Sequence, residues 1–164
     1  MPAQDIMQKR IAFVVGHENW GKSRTLSGLK EICESRGRRL IIRDTEFLVR
    51  SMSNDDKPDS YIDFMNSTSR PAIIAALCPK FKKLKNYEDS RKSIDETLQF
   101  LRQRGYHLFF WVIEHQWAGT GRITQEEIEE LRRNGVVEVF EGRNVESKSR
   151  ARRFRAFVSD VVLA

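Results

Sequence analysis

Cysteine is scarce in this 164-residue chain, and the two present, Cys33 and Cys78, stand outside any CxxC or Cys/His spacing. That excludes a disulfide framework and offers no zinc site. The three histidines, His17, His107 and His115, have no metal-ligand spacing among themselves either. Long apolar runs are missing: stretches such as LFFWVI at 108–113 fall far short of the roughly 20 residues that cross a bilayer, so no membrane segment is expected. The opening MPAQDIMQKR lacks the apolar core and small-residue cleavage site of a secretory leader, and a reducing, cytoplasmic setting is the expectation.

Negative charge is in deficit. Lys and Arg number 29 against 23 Asp and Glu, a balance that favours an anionic partner. Much of the excess sits in PKFKKLK at 79–85 and in RNVESKSRARRFR at 143–155. These are either solvated faces or a surface for a phosphate-rich or nucleic-acid partner, with Arg150, Arg152, Arg153 and Arg155 as the docking set. Hydrophobic residues at 40% suit one globular domain with a single core.

Ile11 to Val15 form an apolar run without polar alternation, as in a strand buried on both sides. A helical period follows from Arg24, with Leu26, Leu29 and Cys33 on one stripe and Gly37 expected as its C-terminal residue. A second strand is expected near Leu40–Ile42, ending close to Asp44, then a polar loop over 50–70 with a short helix near Tyr61–Met65. PAIIAALC at 71–78 is the third strand, and a helix from about Asp89 to Arg104 closes at Gly105 before the strand LFFWVI. Thr124 and Glu127 form a capping-box pattern ahead of a helix that ends at Gly135. Val136–Phe140 is the fifth strand, and a last helix from about Ser147 carries Phe154, Phe157, Val158, Val161 and Val162 at helical spacing. Strands alternating with helices imply an α/β domain whose mostly parallel five-stranded sheet is covered on both faces.

Gly16-His17-Glu18-Asn19-Trp20-Gly21-Lys22-Ser23 fits G-x-x-x-x-G-K-[ST] without a gap, at the end of a strand and the start of a helix. The chemistry accounts for the fixed positions. Gly16 and Gly21 let consecutive amides converge on one anion, and the helix N-terminus adds partial positive charge beside Arg24. Lys22 reaches the β and γ phosphates, and the Ser23 hydroxyl is placed for Mg²⁺.

On this motif and its context the chain resembles the P-loop NTPase superfamily, from Ile11 to the last helix. The resemblance implies a three-layer α/β/α fold and binding of ATP or another nucleoside triphosphate with Mg²⁺. Neither DxxG nor NKxD is present to select guanine, so ATP is the default. The four variable positions are bulky, and Glu18 puts a carboxylate beside the anion site unless it points outward.

The acid such proteins carry after the strand beside the loop is absent, because PAIIAALC ends in Cys78. Two substitutes offer themselves. Asp44, after LIIR, resembles the aspartate that faces metal and acceptor in small-molecule P-loop kinases such as the shikimate and gluconate kinases, though it also fits as the cap of a helix starting at Thr45. Glu114, after LFFWVI, is the other. HQWAGTGR at 115–122 resembles the arginine-bearing lid of nucleoside monophosphate kinases, which implies a catalytic Arg122; an ordinary glycine turn with a surface arginine fits the same residues. Two functions follow: a kinase-like phosphotransferase using Lys22, Asp44 and Arg122 on an unidentified acceptor, phosphorylated or polynucleotide by charge, or a nucleotide-binding regulatory or nucleic-acid-interacting module with little turnover.

Overall fold

The computed structural model describes residues 8–79, 94–116, 119–143 and 145–164. PKFKKLK beyond Pro79, the first residues of the helix expected from Asp89, and Trp117 lie outside them. The described chain is α/β. Its strands are β1 (Lys9–Val15), β2 (Glu34–Arg36), β3 (Arg39–Ile42), β4 (Thr45–Arg50), β5 (Ala72–Leu77), β6 (Tyr106–Ile113) and β7 (Val136–Phe140). Its helices are α1 (Lys22–Ile32), α2 (Pro58–Ser67), α3 (Ile94–Gln103), α4 (Gln125–Arg132) and α5 (Ser147–Phe157), the last running on as a π-helical turn, Val158–Val162.

The strands make one sheet in the order β2-β3-β4-β5-β1-β6-β7. β4, β5, β1, β6 and β7 are mutually parallel, as the alternation of strands and helices predicts. Ile11 to Val15 are all fully buried, so both faces of the sheet are covered at its centre. Phe13 stacks on Phe110 of the neighbouring strand at 5.2 Å. Phe154 of α5 lies 5.6 Å from Trp111 of β6, which seats α5 on the sheet.

The sheet has seven strands among the described residues where five are expected. The extra pair comes from the segment between Cys33 and Arg50. α1 ends at Ile32, Cys33 is already extended, and the chain passes straight into β2. Gly37, expected as the cap of α1, uses its positive φ of 61° in the β2–β3 turn. β3 runs antiparallel to β4, and Arg43 and Asp44 join them with positive φ at both positions, the turn whose twist suits a two-residue hairpin. Thr45 therefore starts a strand and not a helix.

Because β4 is parallel to β1, Asp44 at its start lies at the rim opposite the end of β1, where residues 16–23 begin. The end of β4 at Arg50 shares the rim of the loop.

Candidate functional site

Gly16 to Gly21 leave β1 and enter α1 as the motif requires. Gly21 is the N-cap with φ 93°, and no side chain caps the helix. Its first-turn amides are therefore not claimed by a cap, a condition that suits an anion. Asn19 also takes a positive φ of 65°. Lys22 is buried and folds back over the loop, its Nζ donating to Gly16 O at 2.5 Å and to His17 O at 3.3 Å. Ser23 and Arg24 are exposed and line the same cleft, a cavity of about 730 Å³ bounded by the loop, by Asp55 and Asp56, and by residues 145–150. Glu18 is exposed at its edge, so Lys22 and not Glu18 occupies the hollow.

The acid of this cleft that faces Lys22 is Asp55, which the sequence pattern did not single out. Its Oδ1 is 3.8 Å from Lys22 Nζ, an ion-pair distance, and makes no hydrogen bond although its side chain is only 9% exposed. Asn54 sets its place. The Asn54 amide donates to Cys78 O at 2.9 Å and its Oδ1 accepts from Cys78 N–H at 2.7 Å, so one side chain closes the loop after β4 onto the end of β5. The visible signal was NDDKP at 54–58, an acid pair before a proline at a helix start. It looks like an ordinary solvated loop until Thr45–Arg50 is known to be a strand aimed at the loop's rim.

Asp44, expected to hold metal with Ser23, is not brought there. It is exposed at the opposite rim. Glu114 is buried and engaged: its Oε1 accepts from Arg122 Nε at 3.0 Å and Nη2 at 2.7 Å, with His115 Nε2 at 3.7 Å. A buried carboxylate demands a counter-charge, and Arg122 supplies it. Arg122 lines a different cleft, of about 480 Å³, with Gln125, Ile128, Arg132 and Val139, which shares no residue with the Lys22 cleft. The segment expected as a lid closes on itself through the His115–Arg122 bridge and through Gln116 N–H to Gly121 O at 2.8 Å.

α4 reaches the loop in another way. Glu127 completes the capping box with Thr124, and its other oxygen meets His17 Nε2 at 2.6 Å, while Cys78 Sγ lies 3.9 Å from His17 Nδ1. The Cys78 sulfur and then Glu127 push the His17 pKa up to about 9 against the opposing effect of burial. Burial pushes the Glu127 carboxyl up, but His17 and Thr124 outweigh it and hold it below its usual value. His17 is therefore an imidazolium at neutral pH, pinned between α4 and β5.

Trp20 is core, 5% exposed. Among the arginines grouped by sequence for docking, Arg152, Arg153 and Arg155 are exposed, but Arg150 is 2% exposed and its Nη1 donates to Trp20 O at 2.8 Å. Arg150 belongs to the loop and not to an outer surface. No family of proteins, no curated protein and no solved structure matches the chain.

Proposed function

We propose that the cleft binds a nucleoside triphosphate with Mg²⁺, ATP by default, and that the protein is a kinase-like phosphotransferase on the three-layer P-loop plan. The observation that carries this is a convergence: the uncapped start of α1, the Lys22 ammonium, the Ser23 hydroxyl and the hydrogen-bond-free oxygen of Asp55 meet in one cleft at the end of β1. β1 has β5 on one side and β6 on the other, the reversal point where ligands of open α/β sheets bind.

Ser23 and Asp55 fit a hard cation through oxygen donors, one exposed and one left without a hydrogen bond; Mg²⁺ there would neutralise charge on the β and γ phosphates. Lys22 would exchange its two carbonyl partners for phosphate oxygens and follow the charge that gathers on the transferred group. Asp55 would take the proton of an acceptor hydroxyl, and the basic surface favours an acceptor that is itself phosphorylated or a polynucleotide. A second reading, a nucleotide-binding module with little turnover, draws on Cys78 standing at the end of β5 where an acid is wanted.

A thermal shift with Mg·ATP tests binding. At a hundred times the Kd the ligand adds about 2.7 kcal/mol, roughly 5 to 10 °C for a domain of this size. Lys22→Ala should lose most of that shift, since a charge-assisted bond is worth about 1.5 to 3 kcal/mol. No shift in the wild-type protein overturns both readings. A shift without ADP formation, across phosphorylated and polynucleotide acceptors, leaves the second.

A further inference from the structure

α5 lies close along α1 because Gly28 has no side chain: a Cβ there would stand 3.0 Å from Ser147 O and 3.1 Å from the Ala151 Cβ. That approach, with Phe154 anchored on Trp111 one turn further along, delivers Arg150 beneath the phosphate loop. A Cβ at Gly21 would lie 2.5 Å from Arg150 Nη1, so the guanidinium fills the space under the first residue of the helix entry. Its Nε and Nη2 are buried without a hydrogen-bond partner, and no carboxylate pairs with it among the described residues. Burial accordingly pushes its pKa below the usual arginine value.

This is an adverse place for a cation. The start of α1 already carries the positive end of the helix dipole, Lys22 sits on the same loop, and a dry charge without a partner is costly. A resident anion adds an attraction to the dipole, to Lys22 and to the dry guanidinium that offsets these costs. The two cations also hold different ends of the loop, Lys22 at the Gly16 and His17 carbonyls and Arg150 at the Trp20 carbonyl. With its C=O tied to Arg150, the trans peptide after Trp20 turns the Gly21 N–H to the side away from α5.

We infer that Arg150 is a positioning residue of the phosphate site, which by holding the Trp20 carbonyl and lodging its charge under Gly21 tunes the loop to a chain of phosphates over a single phosphate. The inference rests on the reading of residues 16–23 as a phosphate loop, and it adds the ligand class that α5 selects. Its test compares tripolyphosphate, pyrophosphate and orthophosphate by titration calorimetry on the full chain, in wild type, Arg150→Met and Arg150→Lys. Wild type should bind tripolyphosphate at least a hundredfold tighter than orthophosphate. Arg150→Met should lose tenfold or more on tripolyphosphate and less than threefold on orthophosphate, with a shallower dependence on salt. Arg150→Lys, which keeps the charge, should restore most of the preference and the salt dependence. Arg150→Lys as impaired as Arg150→Met, or equal losses on both anions, would show that Arg150 only props the backbone and would overturn the inference. Wild type without preference for the longer chain overturns it too. A wild-type protein that binds none of the three anions sinks the phosphate-loop reading itself.

Discussion

Asp44 and Asp55 flank β4 on opposite sides and could hardly differ more. At its start Asp44 sits in a two-residue turn with positive φ, exposed, at the rim away from residues 16–23. Past its end Asp55 is held within ion-pair distance of Lys22, with its loop tied to β5 by Asn54. Both are acids in polar segments that flank β4. What separates them is strand direction: the antiparallel hairpin of β3 and β4 returns the chain, so that the second acid reaches the rim that carries Lys22 and the first does not.

The largest expected effect breaks that comparison directly. Asp55→Asn should keep the Mg·ATP thermal shift within a few degrees and lower ADP formation by about a hundredfold or more, the scale of a positioned acid–base group. Asp44→Asn should match wild type in both assays. Should the two substitutions behave alike, the assignment of the acid by rim is wrong.

A middle-sized effect concerns how the Asp55 end is held. Asn54→Ala removes both bonds to the Cys78 backbone and strands a buried N–H, which should cost about 1 to 3 kcal/mol in denaturant unfolding. It should also lower ADP formation, because the loop carrying Asp55 is freed. Unchanged stability would mean that the Asn54 clamp does not set the geometry.

The smallest and most conditional effect lies at His17. Its folded pKa of about 9 exceeds the unfolded value near 6.5, so the stabilisation is fully present below pH 6.5 and is lost as pH rises through about 9. Glu127 is held low, so its share is present above the usual carboxylate range and is lost as pH falls through its depressed folded value. Comparing wild type with His17→Gln by urea unfolding should show a gap on the order of 2 kcal/mol at pH 6 that closes above pH 9. A gap that does not vary with pH would remove the charge from the account and leave only packing.

Much of the architecture was legible because it is written locally. The unbroken run Ile11–Val15, the capping box of Thr124 and Glu127, and Gly105 after α3 each carry their own signal, and each lies where its neighbours in sequence place it. The hairpin of β2, β3 and β4 was not, because Leu40–Ile42 looks the same whichever way its partner runs, and Gly37 serves a helix end or a turn with the same left-handed backbone. Missing the hairpin hid Asp55 and promoted Asp44. Arg122 was misplaced for a related reason: nothing local says that Glu114 is buried and claims it.

The sequence by itself determined the loop, the Lys22 and Ser23 positions on it and the helix that follows, because glycines, a lysine and a helix start act over one or two turns of chain. Only the tertiary structure decided which carboxylate faces Lys22, that Arg122 is spent on Glu114, and that Arg150 lies under the loop while Arg152 and Arg153 face outward. Those outcomes depend on the direction of each strand and on which side chains the fold removes from water. Both are settled by contacts between residues far apart in the chain.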